Sequence, residues 1–365
     1  MFDLTHLISR FGEPGTAAIL GLAVGLLFGV AAQQSQFCLR SATTAFWRGK
    51  PGSSFAVWLF AFCTALLGTQ LLVLGGALDN GQVRQLSNAG TMSGAMIGGL
   101  LFGIGMVLAR GCASRLLVLS ATGNLRALVA GLVLTVVAQA SLRGALSPLR
   151  QTVSSWWVVS PAERSVLLSI PSVLVIAFTV LVLAGAVWLA RRSKLEWRGW
   201  VFGVGVGLAI VAGWGLTSLL ASQAFDVVAV KSVSFSGPSA DTLMALINSP
   251  VITPGFDIGL VPGVFAGSFL AAILTGQFKV QGFESGVGVP RYLAGATLMG
   301  FGSMLAGGCA VGAGVTGGSV LALTAWIALL AMWLGAGLTD WLIDREASPL
   351  KGWRLLQPLE SASRA

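Results

Sequence analysis

The chain has one histidine, one tyrosine, four cysteines and only 10% charged residues among its 365 positions. The histidine, His6, precedes the first apolar run, so imidazole chemistry in the interior is excluded. Cys38, Cys63, Cys112 and Cys309 form no CxxC or CxxH pattern, which removes the zinc and haem spacings. The methionines show no MxxM pairing near these cysteines, which weakens a Cu(I) site. No metal and no cofactor is therefore expected. Carboxylates are nearly missing from the apolar runs, which argues against a proton relay of the usual Asp/Glu kind.

What is present in quantity is apolar: 55% hydrophobic residues and 49 glycines, with a mean hydropathy of +0.85. No soluble domain of this length tolerates such a surface, so an all-α polytopic membrane protein is expected. Nine spans are predicted at about 16–34, 55–78, 93–109, 125–145, 166–190, 199–220, 258–276, 291–306 and 320–343, in a single transmembrane domain over 1–365. Asp3, Arg10 and Glu13 precede the first run, so a retained span is expected there rather than a removable signal. The +9 formal charge comes in short clusters between spans: Arg40, Arg48 and Lys50; Arg191, Arg192, Lys194 and Arg198; Arg345, Lys351 and Arg354. Such spacing excludes nucleic acid and predicts cytoplasmic loops, with the N-terminus outside and the C-terminus inside.

Two near-copies of one segment stand 197 positions apart: Gly98–Ala113 (GGLLFGIGMVLARGCA) and Gly295–Ala310 (GATLMGFGSMLAGGCA). The predicted topology makes the first run inward and the second outward. The halves, about 16–145 and 199–343 around a linker helix at 166–190, therefore read as inverted copies, an arrangement that places a substrate path at their interface. Weaker matches agree: Gly25–Gly29 with Gly203–Gly207, and Thr64–Gln70 (TALLGTQ) with Ala271–Gln277 (AAILTGQ). Each Gly-Cys-Ala ends an apolar run abruptly, which predicts a broken helix or an inward-dipping loop. Irregular backbone at membrane depth is tolerated only where it is buried in protein or lines a wet cavity. A third break is predicted at Gln33–Ser41 (QQSQFCLRS), with its counterpart at Ala212–Ser218 (AGWGLTS), whereas Cys63 sits in a plain hydrophobic stretch and is read as core.

Three thiols at breaks suit a ligand with exposed sulfur or selenium, because a neutral thiol is a soft, weak donor that does not repel an anion. Burying an anion also demands compensation. Helix N-termini after Cys112 and Cys309 would supply N–H groups and a positive dipole end. Arg40, Arg110 and Arg115 either add charge to the path or act as topology signals. Gln33, Gln34, Gln36, Asn124 and Thr316 either touch the ion or act as helix glue.

At QFCLRS (Gln36–Ser41), FGIGMVLARGCA (Phe102–Ala113) and MGFGSMLAGGCAVGAG (Met299–Gly314) the chain resembles the YeeE/YedE family of sulfur-transport membrane proteins, over nearly its whole length. The resemblance implies an hourglass-like helical fold in a bacterial inner membrane and import of thiosulfate or a related sulfur anion. It implies relay of the terminal sulfur by S–H···S bonds along Cys38, Cys112 and Cys309, and a cytoplasmic sulfur carrier of the TusA-like kind. The substrate-binding set expected here is Cys38, Cys112, Cys309, Arg110, Arg115 and Gln36. One departure stands out, since the family typically has Gly-Gly-Cys in both repeats and this chain has Arg110-Gly111-Cys112 in the first. A membrane thiol enzyme exchanging sulfur or electrons through Cys112 and Cys309 is the competing class, with transport of a selenium compound a further alternative. The enzyme would want a resolving partner, and no CxxC supplies one.

Overall fold

Apolar runs that meet lipid must satisfy their own backbone, and here they do so as helices. In the computed structural model, which describes residues 4–226, 228–248, 253–282 and 288–344, the principal helices are twelve. They are α1 (Thr5–Ser35), α2 (Leu39–Trp47), α3 (Ser53–Leu74), α4 (Met92–Leu108), α5 (Ala113–Ala121), α6 (Leu125–Arg143), α7 (Ser172–Arg192), α8 (Trp197–Gln223), α9 (Ser236–Asn248), α10 (Phe256–Leu274), α11 (Gly288–Leu305) and α12 (Leu323–Thr339). A π-helical turn, Ala310–Thr316, and one further turn, Gly317–Ser319, follow α11. Among the described residues, eight helical segments are long and apolar enough to cross a membrane, and the bent pair Val289–Leu305 with Ala310–Ser319 makes a ninth. Three of these spans are discontinuous: α1 with α2, α4 with α5, and the bent pair, whose axis turns by 40° at its break.

Glycine seams hold the spans together. On α1, Gly21, Gly25 and Gly29 face Gly259, Gly263 and Gly267 of α10, and each glycine abuts backbone of the other helix. The two helices run parallel, since Gly25 meets Leu260 and Gly263 while Gly29 meets Val264 and Ser268. The repeated glycines make a second seam, between α4 and α11. A Cβ at Gly98 would stand 2.6 Å from the Gly302 carbonyl oxygen, and one at Gly105 would stand 2.5 Å from that of Gly295. The pairing order is reversed there, so the two copies of the repeat are antiparallel. Backbones approach this closely only where side chains are missing, which explains the glycine periodicity without further function.

The two ends of the bundle differ in their fastening. At one end Arg48 grips Asp340 through Nε (2.9 Å) and Nη2 (2.7 Å), and Asp340 is fully buried. At the other, Gly90–Thr91 (β1) pairs antiparallel with Val158–Val159 (β2), and the connecting segment 146–171 closes over the start of α4. One sequence expectation is corrected. The stretch Ala212–Ser218 lies inside the unbroken α8, and among the described residues the chain leaves helix at 224–226 and 228–235, before α9. Within it the Trp214 indole donates to Ser319 Oγ (3.2 Å), and the Thr217 hydroxyl donates to the Gly213 carbonyl (2.8 Å).

Candidate functional site

The three breaks are built alike, and the construction starts two residues before each cysteine. Gln36 (φ 53°), Arg110 (φ 55°) and Gly307 (φ 82°) adopt the left-handed conformation that ends a helix. The following N–H then reaches back to the carbonyl six residues before the cysteine: Phe37 to Ala32 (3.2 Å), Gly111 to Met106 (3.0 Å) and Gly308 to Ser303 (2.8 Å). That closes a Schellman turn and delivers the cysteine, in extended backbone, to the N-cap of the next helix. Cys38 thus caps α2, Cys112 caps α5 and Cys309 caps the π-helical turn.

A helix start has first-turn N–H groups with no intrahelical acceptor. Here they are buried, since Leu39, Ala113, Ser114, Ala310 and Val311 are each at most 6% exposed. The thiols only partly satisfy them. Cys309 Sγ accepts from the Gly312 N–H at 3.5 Å, and Cys112 Sγ lies 3.3 Å from Ser114 Oγ. Each break therefore offers polar hydrogen and a positive dipole end among buried residues.

The first two breaks meet. The thiols of Cys38 and Cys112 interact side chain to side chain, and the Arg115 guanidinium is within electrostatic reach of Cys38. Arg115 Nη1 is buried and has no hydrogen-bond partner. Arg110 goes elsewhere: it is exposed, and its guanidinium lies 6.0 Å from the Tyr292 ring, which Arg126 also covers at 4.6 Å. Gln36 is exposed as well, and it makes the left-handed turn before Cys38. Arg40 is part-buried in the first turn of α2. Cys309 stands at the break on the other half, and the turn it caps packs against α5. Cys63 is buried within the unbroken α3.

Two candidate ion contacts make hydrogen bonds within the protein. Asn124 caps α6 through the Ala127 N–H (2.9 Å) and donates to Gln281 (2.6 Å), and Thr316 donates to the Val233 carbonyl (2.7 Å). Gln33 joins Gln277 across the α1–α10 seam at 2.8 Å. An apolar cavity of about 210 Å³ opens beside the Cys112 break, lined by Ala113, Leu116, Thr135, Phe235 and Leu243 among others. Its lining suits lipid or side-chain motion rather than an anion. Sequence reasoning missed the segment that carries Phe235 into this region, the extended stretch 228–235 and the start of α9. The signal was there: Ser234–Thr242 reads SFSGPSADT against QFCLRSATT at Gln36–Thr44, with Phe, Ser, Ala and Thr in common.

Discontinuous spans broken at buried, dipole-bearing helix ends define a polytopic membrane protein of the transport class. The chain belongs to the sulphur transport family, whose profile matches residues 34–338. Among curated relatives, it is similar to the thiosulfate transporter TsuA of Spirochaeta thermophila, at 31% identity over 343 residues, covering 89% of this chain and 98% of the relative. It is also similar to the thiosulfate transporter TsuA of Escherichia coli, at 27% identity over 342 residues, covering 88% of this chain and 94% of the relative.

Proposed function

We propose that this chain imports thiosulfate, or a closely related inorganic sulfur anion, across a bacterial inner membrane, with its N-terminus outside and its C-terminus in the cytoplasm. The halves act as inverted copies, and the path runs between them through the thiol-capped breaks. The observation that carries this reading is the meeting of Cys38 and Cys112 at two buried helix starts beside the unpartnered Nη1 of Arg115. An oxyanion needs several strong donors to repay its desolvation, and each hydrogen bond to a charged group contributes about 1.5–3 kcal/mol. First-turn N–H groups and Arg115 would hold the oxygens, while the thiols would pass the softer terminal sulfur by S–H···S bonds from Cys309 toward Cys112 and Cys38. Arg110 and Gln36 would contribute through the turns that aim these groups, and Arg110 through long-range charge. Delivery to a cytoplasmic TusA-like sulfur carrier would complete the route. Cells lacking other sulfate and thiosulfate importers should grow on thiosulfate when supplied with this chain. No growth with a correctly inserted protein would reject the substrate assignment.

The contact between Cys38 and Cys112 also favours a second reading, because it supplies the resolving partner that a thiol enzyme needs and that no CxxC provides. Attack of Cys112 on the outer sulfur would give a persulfide, with the thiol proton kept on sulfur and sulfite as the leaving group. Mass spectrometry separates the readings: a relay leaves unmodified cysteines and intact thiosulfate inside, and an enzyme leaves a persulfide together with released sulfite.

A further inference from the structure

The fourth break has no cysteine, yet its sequence resembles that of the first. When SFSGPSADT is laid on QFCLRSATT, four of nine positions are identical and Ser236 falls on Cys38. The adjoining aromatics keep the same neighbour: Phe37 and Phe235 both pack on Phe28, with ring centroids 6.4 Å and 4.9 Å away. As Cys38 precedes the first turn of α2, so Ser236 opens α9.

Ser236 is wholly buried, and its Oγ has no hydrogen-bond partner. Native folds seldom leave a buried hydroxyl unsatisfied, and those they leave call for a cause such as an absent ligand. The chain leading to Ser236 runs along the Cys309 break. Ser234 lies against Gly312, where an added Cβ would stand 2.8 Å from the Ser234 Cβ, and Gly312 is the residue whose N–H reaches Cys309 Sγ. One residue earlier, the Val233 carbonyl accepts from Thr316. The symmetry that relates Cys38 to Ser236 also relates Cys112 to Cys309. Cys38 and Cys112 meet, so Ser236 is placed to serve the Cys309 break in the same way.

We propose that Ser236 is a further substrate contact, whose hydroxyl donates to an oxygen of the sulfur oxyanion as it passes Cys309. This rests on the transport reading and the inverted repeat above. The chemistry explains why serine rather than cysteine stands here. A hydroxyl is a harder and stronger donor than a thiol, so it suits the oxygen end of the anion while Cys309 faces the soft sulfur. Of the two sides of the path, this one would then recognise the whole ion rather than its sulfur alone.

The test compares wild type, Ser236→Ala, Ser236→Cys and Cys112→Ala in the full chain. Radiolabelled thiosulfate uptake is measured in cells, and melting of the purified protein is followed with and without thiosulfate. Ser236→Ala is expected to melt no lower than wild type, because it removes an unsatisfied group. It is expected to lose about tenfold in uptake at limiting thiosulfate and most of the thiosulfate-induced melting shift. Ser236→Cys keeps a donor and is expected to stay within about threefold of wild-type uptake. The proposal is overturned if Ser236→Ala transports normally while Cys112→Ala does not, if Ser236→Ala melts lower, or if Ser236→Cys does no better than alanine. Normal uptake by Cys112→Ala would instead remove the thiol path itself.

Discussion

Adding one methyl group to Gly263 should weaken the whole bundle, and the structure sets the amount. A Cβ there would stand 2.5 Å from the Leu22 carbonyl oxygen and 3.1 Å from the Cα atoms of Leu22 and Gly25. A relaxed carbon–oxygen contact is about 3.3 Å, so α1 and α10 must part by roughly 0.8 Å. A gap of that size forfeits a quarter to a half of the dispersion energy of the facing atoms, and overpacking of this kind costs about 1–3 kcal/mol. Alanine returns up to about 1 kcal/mol through helix propensity, so the full return leaves a net loss of up to about 2 kcal/mol. Gly185 on α7 is the control, because nothing lies within 4 Å of a Cβ built there. Gly185→Ala should melt at or above wild type. Gly263→Ala, purified in detergent and heated beside it, should melt several degrees lower. Equal melting of the two variants would show that the α1–α10 seam does not depend on close backbone approach.

Three further outcomes follow from the same geometry. Arg48→Met should destabilise more than Asp340→Asn, by about 1–3 kcal/mol, because the first strands a fully buried carboxylate while the second leaves a part-exposed arginine in water; equal melting temperatures would contradict this. Arg110→Gly relieves a left-handed residue and should stabilise by about 1 kcal/mol, seen as a higher melting temperature. In the exposed segment before α7, the Ser160 amide and hydroxyl hold the Glu163 carboxyl below its ordinary value of 4.5. The capping box it forms there therefore adds stability above that value and loses it as pH falls through the lowered one. Amide exchange at Glu163, corrected for intrinsic rate, should lose protection on acidification in wild type and show no such dependence in Glu163→Gln.

Much of the fold was legible from residues alone. Nine spans, the breaks at Cys38, Cys112 and Cys309 and the core place of Cys63 follow from apolar runs that end abruptly. The glycine stripes predicted close helix contact, which the seams of α1 with α10 and α4 with α11 supply. The counterpart of the Cys38 break was placed at 212–218, a stretch that stays helical inside α8, whereas the segment that resembles QFCLRSATT begins at Ser234. Charge was equally hard to aim. Arg110 and Arg115 are five positions apart and look equivalent in sequence, yet a left-handed turn at Arg110 sends its side chain toward Tyr292. Arg115, in the first turn of α5, stays with the thiols. Nor does sequence spacing reveal that Cys38 and Cys112, 74 residues apart, share one site.

The central claim is that the ion passes along thiols at the helix breaks, and one comparison tests it most directly. Thiosulfate radiolabelled on its outer sulfur is offered to cells lacking other importers, with wild type set against Cys112→Ala at matched insertion. Intact labelled thiosulfate should accumulate inside with wild type and fail to do so with Cys112→Ala. Equal accumulation with both would contradict the claim.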